Sequence, residues 1–283
     1  MTTHSGKQLI ERMNAYTPAP GSLALWWLGQ MGIAVKGRTD VLYIDPYLTG
    51  KTVAESPPGT IFARAFPPPL LPDEVSNAHF VLCSHEHGDH TDSGTLRGIA
   101  AASPGATFVH SGWAQAQIDQ AGLPAARCVV AQSAPLQLGE FTVTPAPSAH
   151  YTREYDPVKG ERWMGFLIEG NGVRLYHTGD TIIFDGYVDA LKALPQPDLV
   201  VACSNGRDAY RDAHNITGNL QPVEAVWLAR ELGWDTLIFG HNDVFAFNSL
   251  PPGALAEAVA AVHPRQKWRT LQPGELFVYV AQP

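Results

Sequence analysis

The chain has 283 residues, 45% of them hydrophobic and 16% charged, and a formal net charge of −8. That length is enough for a sizeable core, and the acidic balance excludes a sequence-independent binder of the nucleic-acid backbone, which needs a basic face. No apolar run approaches the ~20 residues that span a membrane. The opening MTTHSGKQLIERMNAY lacks the order of a signal peptide, and Cys83, Cys128 and Cys203 form neither a CxxC pair nor a disulfide framework. These features lead us to expect a cytoplasmic protein with reduced thiols.

In chain order, Lys7 to Tyr16 reads as a short leading helix. LALWWLG and GIAVKG flank Gly29-Gln30 and suggest a hairpin, and VLYIDP is a third strand stopped by Pro46. Residues 46–77 lose periodicity and carry SPPGT and FPPPLLPDE, a loop long enough to be a lid, a subunit contact or plain surface. AHFVLCS is a compact apolar strand. SGTLRGIAAA predicts a helix, ATFVH a strand, and GWAQAQIDQAG a helix ending at Gly122. FTVTPAPSAH is a strand ending in a loop, and RWMGFLIEG and GVRLYHTGD are strands joined at Asn171-Gly172. Helices over FDGYVDALKAL, QPVEAVWLARELG and GALAEAVAAVH then alternate with strands over PDLVVACS, WDTLIFGH and ELFVYVA. No repeat and no linker divides this order, so residues 1–283 read as one layered α/β domain.

The stretch VLCSHEHGDHTD, Val81 to Asp92, concentrates four ligand-type side chains in six residues. His85 and His87 project to one side of an extended segment. Gly88 is expected to ease the turn, Asp89 and His90 to aim at a second point nearby, and Thr91 or Asp92 to cap the next helix. The stretch therefore supplies ligands for two adjacent ions rather than a cage around one. Further candidates sit where strands run out: His150 after FTVTPAPSAH, Asp180 after VRLYHTGD and His241 after DTLIFGH. A lone H-x-H would carry little weight; its recurrence with strand-end ligands carries much more.

With these residues in place, the chain resembles the metallo-β-lactamase superfamily, whose H-x-H-x-D-H signature matches His85 to His90. LALWWLGQMGIAVKG, LYHTGDT and IFGHNDVF give it a closer likeness to the branch containing the L-ascorbate-6-phosphate lactonases. The resemblance implies an αββα four-layer sandwich with two mixed sheets and outer helices. It also implies that His85, His87 and His150 hold one metal ion, that Asp89, His90 and His241 hold a second, and that Asp180 bridges them.

Nitrogen and oxygen donors without a thiolate suit Zn²⁺ or Mn²⁺, with Fe²⁺ also compatible. Two such ions lower the pKa of a shared water toward ~7 and provide a hydroxide that attacks a carbonyl, with Asp89 orienting that water or taking its proton. The expected activity is opening of a lactone or similar ester, a sugar lactone among them; a phosphodiesterase on a nucleotide or lipid is the alternative. The expected partner is a small-molecule substrate, with no nucleic acid and no membrane, and homo-oligomerisation is left open. Asp45 is expected to orient a ligand histidine from behind. His177 is read as a core or supporting residue, Glu86 as facing away from its neighbours, and Trp26, Trp27 and Trp163 as core. Arg207, Arg211, His214 and Asn215, in SNGRDAYRDAHNITGNL, are expected to read the substrate from a strand end on the ligand side.

Overall fold

A computed structural model describes residues 4–281. These described residues form sixteen strands: β1 (Ser22–Gly29), β2 (Gly32–Lys36), β3 (Val41–Ile44), β4 (Phe80–Cys83), β5 (Thr107–His110), β6 (Cys128–Val130), β7 (Leu136–Leu138), β8 (Phe141–Pro147), β9 (Tyr155–Asp156), β10 (Gly160–Glu161), β11 (Met164–Gly170), β12 (Val173–His177), β13 (Leu199–Cys203), β14 (Thr236–Gly240), β15 (Lys267–Arg269) and β16 (Leu276–Val280). Seven helices join them: α1 (Gly6–Ala15), α2 (Ser93–Ala102), α3 (Gln115–Ala121), α4 (Tyr187–Lys192), α5 (Ala209–Ala213), α6 (Pro222–Leu232) and α7 (Pro252–Val262).

Fourteen of the strands make two seven-stranded sheets, in the orders β16-β1-β2-β3-β4-β5-β6 and β15-β14-β13-β12-β11-β8-β7, and β9 and β10 pair as a separate two-stranded hairpin. Each is antiparallel on one side and parallel on the other: β3 to β6 run parallel in the first sheet, and β12 to β15 in the second. Strand β1 shows why the layers stack as they do. All eight of its residues are buried, and alternate side chains go to opposite faces. Leu23, Leu25 and Trp27 join a core with Val143, Phe166 and Leu175 of the second sheet. Ala24, Trp26 and Leu28 instead join Leu9, Ile10 and Met13 of α1, with Leu96 and Ile99 of α2 and Ile118 of α3. On the far side, Leu228 and Leu232 of α6 and Leu255 and Val259 of α7 pack with the second sheet. The order of layers is α, β, β, α, the architecture that the sequence led us to expect.

Short elements escaped the sequence reading because two to five residues carry too little period: β6, β7, β15, the β9–β10 hairpin and α5. The 46–77 loop is not free chain. It has two short 3-10 turns, Val53–Glu55 and Pro72–Glu74, and it bridges to itself at Thr52–Arg64 and to the loop after β14 at Arg64–Phe245. Ala65 donates its N–H to Val244 O at 2.7 Å.

The two sheets are fastened together at one end. Gln30, in the β1–β2 turn, and His241, which follows β14, both adopt left-handed backbone at φ 63° and 62°, a conformation uncommon for non-glycine residues. The His241 N–H donates to Gln30 O at 2.5 Å. Asp243 accepts from Gln30 N at 2.8 Å and from Trp27 Nε1 at 2.6 Å. Gly29 (φ 96°) lies so close that a Cβ there would meet Val244 Cγ2 at 2.9 Å. Among the described residues no helix is long and apolar enough to cross a membrane.

Candidate metal centre

The fastened end is where the parallel strands of both sheets finish, and ligand-type side chains converge there. His85, His87, Asp89 and His90 lie on the turn between β4 and α2; Asp92 caps α2 by accepting from Gly94 N and Thr95 N. His150 lies three residues past β8, Asp180 three past β12, and His241 immediately after β14. One donor atom from each of His85, His87, His150 and Asp180 falls within 4.8 Å of the others, and the same holds for Asp89, His90 and His241. Asp180 stands between the groups. Its Oδ1 is 3.4 Å from His90 Nε2, and its Oδ2 is 3.0 Å from His241 Nε2 and 3.5 Å from His150 Nε2.

The hydrogen bonds behind these rings fix which nitrogen faces inward. Asp45 is fully buried, at φ 45°. Its Oδ2 is 2.8 Å from His90 Nδ1. A carboxylate only accepts, so His90 carries a proton on Nδ1 and aims Nε2, the nitrogen that ligates once it gives up its proton, toward Asp180 and Asp89. Ser84 Oγ donates to the same Oδ2 at 2.6 Å and lies 2.9 Å from His85 Nδ1. With its own proton committed to Asp45, the hydroxyl accepts from His85 Nδ1, and His85 Nε2 is left facing inward without a proton. One carboxylate therefore sets two imidazoles.

Charge is unevenly distributed. Burial holds His85 well below the ordinary histidine range, and the neighbouring His90 and His87 push it the same way. His87 is lowered too, by burial and by His150. Burial also opposes charge on His90 and His241, but the carboxylates of Asp180 and Asp89 outweigh it and raise both. Burial would raise Asp180, yet His241 and His90 hold it well below the carboxylate range. Asp89 is lowered for similar reasons.

The residues fit divalent-cation binding. His85 Nε2, both nitrogens of His150 and Asp180 Oδ1 are buried without a hydrogen-bond partner. A buried polar atom left unmatched costs about 1–3 kcal/mol, and here several such atoms face one another. A cation would supply what they lack.

Residues with no spacing signal support this cluster. Gln30 Nε2 donates to Asp89 Oδ2 at 2.7 Å and is 3.3 Å from His241 Nε2. Asn219 Nδ2 donates to Asp180 Oδ2 at 3.0 Å and to Asn205 Oδ1 at 2.9 Å. Asn205 Nδ2 donates to Asn248 Oδ1 at 3.1 Å, and Asn248 Nδ2 is 3.3 Å from His241 Nδ1.

The expected substrate readers fare differently. Asn215, at φ 54°, lines the cavity above the cluster. Arg207 does not: its guanidinium is held in a two-pronged pair with Glu224, at 2.6 and 2.7 Å, and donates to Asn219 O. Arg211 is buried, pairs with Asp208 and donates to Phe247 O and Asn248 Oδ1. His214 is exposed and lies 2.8 Å from Tyr210 O within its own turn. A guanidinium drawn out of water takes whatever acceptors are near, and here they are structural. Gly88 also departs from expectation: its φ is not positive, and a Cβ would meet nothing within 4 Å, so the turn does not require glycine.

Of the other singled-out residues, Glu86 pairs with Arg162 at 2.7 Å. His177 is buried, with Nε2 2.9 Å from Met31 O. Trp26 and Trp27 are core, while Trp163 packs edge-on against His150 with centroids 5.7 Å apart.

Comparison with known proteins bears on the family and the fold. The family model described as "Beta-lactamase superfamily domain" matches residues 42–242. A "UPF0173 metal-dependent hydrolase" of Dinoroseobacter shibae is 25% identical over 190 residues, 65% of this chain and 74% of that protein. One from Archaeoglobus fulgidus is 26% identical over 186 residues, 63% and 70% of the two chains. Among solved structures, the metallo hydrolase Igni18 of Ignicoccus hospitalis has a TM-score of 0.65 at 19% identity, covering 92% of this chain and all of that one. An isothiocyanate hydrolase from Delia radicum gut bacteria has a TM-score of 0.71 at 17% identity, covering 91% and 100%. At these identities the two structures speak for the fold alone.

Proposed function

The chain belongs to the metallo-β-lactamase superfamily, and from that premise we propose that it is a binuclear metal-dependent hydrolase that opens a lactone or similar ester. The observation that carries this reading is the set of buried, unpartnered polar atoms on His85, His150 and Asp180, with His85 and His90 oriented from behind by Ser84 and Asp45. His85, His87 and His150 would hold one ion and Asp89, His90 and His241 the other, with Asp180 shared. The relatives that carry the name metal-dependent hydrolase support the reading.

Two divalent cations, zinc, manganese or iron, supply Lewis acidity and an activated water when bound. The chain's own residues do the rest. Burial keeps His85 and His87 neutral and so available as ligands. Gln30 holds Asp89 by one oxygen, Oδ2. Oδ1 makes no hydrogen bond among the described residues and can take a proton from a water attacking a carbonyl in the cavity. Asn219 steadies Asp180, and Asn248 supports His241 from behind. For a lactone the leaving alkoxide stays attached, so the product is a hydroxy acid.

A phosphodiesterase is the alternative, and a phosphorylated lactone is what the closer likeness to the ascorbate-phosphate branch would suggest. The engagement of Arg207 and Arg211 elsewhere weighs against both. Elemental analysis should find two divalent ions per chain after purification in metal-replete medium, and the loaded protein should hydrolyse neutral lactones faster than bis-p-nitrophenyl phosphate or a β-lactam. At most one bound ion, or full activity after chelation, sinks the proposal.

A further inference from the structure

The cavity over the cluster has a volume of about 510 Å³, within the range that encloses a small organic molecule. Its floor is the Asp/His cluster, including His87, Asp89, Asp180 and His241. One wall is a bank of four rings from two separate segments: Tyr47 and Phe62 of the long loop, and Phe245 and Phe247 of the loop after β14. Phe62 meets Phe245 and Phe247 edge-on, with centroids 5.6 and 5.5 Å apart and planes at 86° and 88°. Phe245 and Phe247 lie 5.7 Å apart with planes at 8°, and Tyr47 is 5.9 Å from Phe245. The bank is supported from behind. Arg64 is wholly buried, donates to Tyr47 O and Thr49 O, and places its guanidinium 4.8 Å from the Tyr47 ring centroid. Yet Phe62, at the centre of the edge-on contacts, remains 53% exposed. Exposed aromatic area held in a fixed arrangement beside a reactive centre is available for a ligand.

The charge of the lining points the same way. Among the described residues no lysine or arginine lines the cavity, whereas Asp89, Asp92 and Asp180 all do. The remaining polar lining is amide and hydroxyl, from Asn205, Asn215, Asn248, Thr49 and Thr217. An anionic group placed away from the cluster would find acidic and neutral neighbours and no cation to pair with. We propose that the aromatic bank seats a flat, uncharged ring of the substrate, so that the site takes neutral, ring-bearing lactones or esters and discriminates against phosphorylated ones. This rests on the hydrolase reading for the reaction but not for the ring site itself.

The test uses metal-loaded protein and two paired probes. Binding is measured by calorimetry with 5-phenyl-2-pyrrolidinone and 2-pyrrolidinone, lactams that resist hydrolysis. Turnover is measured with γ-phenyl-γ-butyrolactone, γ-butyrolactone and 6-phosphogluconolactone. The phenyl member of each pair should be favoured about tenfold or more, as expected for one well-seated ring, and the phosphorylated lactone should be the poorest substrate. Phe62→Ala and Phe247→Ala should each reduce the phenyl advantage several-fold while metal content and thermal stability stay at the parent level. Equal handling of phenyl and unsubstituted probes, preference for the phosphorylated lactone, or a phenyl advantage untouched by both variants would overturn the proposal. Phenyl-lactam binding that is lost in Phe62→Ala, in a protein that hydrolyses no lactone or ester, would uphold the ring site and remove the hydrolase reading instead.

Discussion

Replacing Asp45 by asparagine changes the direction of two hydrogen bonds while keeping the side chain's shape. Asparagine tolerates the left-handed backbone that residue 45 adopts. Its amide, however, can present oxygen to only one side. If the oxygen stays on Ser84 N, now 2.8 Å from Asp45 Oδ1, the NH₂ group faces Ser84 Oγ and His90 Nδ1. His90 must then accept at Nδ1 and carry its proton on Nε2, the atom aimed at Asp180 and Asp89. If the amide turns over, the buried Ser84 N–H faces another donor, which costs about 1–3 kcal/mol of stability. We predict the first arrangement. Loss of a carboxylate behind a ligand histidine typically weakens metal binding about 10- to 100-fold, or roughly 1.4–2.8 kcal/mol. The loss should fall mainly on the ion held with His90, and to a smaller degree on the ion held with His85, which depends on Asp45 through Ser84. Chelator-competition titrations give the two affinities, and nitrogen-15 spectra of the zinc-loaded protein identify the protonated ring nitrogen. Parent affinities for both ions, with His90 still protonated at Nδ1, would refute the reasoning.

Three further outcomes are expected. Asp180→Ala should weaken both metal ions together; loss of one alone would deny Asp180 its shared position. In metal-free protein, Asp180 is held well below its unfolded value near ~3.9, so its contribution to stability is present above that pH and lost as pH falls through the lower folded value. The stability gap between the parent and Asp180→Asn, read by urea unfolding at pH 5, 4 and 3, should therefore narrow with acid; a constant gap contradicts this. Arg207→Ala removes the pair with Glu224 at the start of α6 and should cost about 1 kcal/mol or less of stability with kcat/KM unchanged, whereas Arg211→Met should disturb Asn248 and weaken the ion held with His241. Equal effects of the two on metal affinity would undo the distinction drawn between them.

Sequence legibility followed periodicity and charge. HEHGDH stood out because its spacing has few uses other than ligation, and β1 read as strand because both its faces are apolar. Asp45 was readable as the polar residue that stops an apolar strand. The amides Gln30, Asn205, Asn219 and Asn248 were not, since an amide has no preferred spacing and its role here depends on contacts across up to 211 residues of chain. Phe62, within a Pro-rich stretch, could not be told from ordinary loop packing. Arg207 and Arg211 looked like substrate readers because they follow a strand end on the ligand side. The pairing of Arg211 with Asp208, three residues earlier, is a local pattern that the sequence does contain; the pairing of Arg207 with Glu224, seventeen residues on, becomes visible only once α6 is packed.

The division of the strands between the sheets has a consequence for the chain as a two-part object. Residues up to β6 build the first sheet apart from its edge strand β16, and the stretch from β7 to β15 builds the second, with the β9–β10 hairpin set apart. The first part carries His85, His87, Asp89 and His90, and the second carries His150, Asp180 and His241, so neither holds a complete set. The exposed link at Ser133 to Pro135 is where a protease could separate them. A protein nicked there should remain one particle on gel filtration at lower urea when chelated than when loaded, with metal acting as the clasp between the fragments. If loading makes no difference to the urea concentration at which the pieces part, the two parts are joined by their apolar faces and the β1–β16 pairing alone.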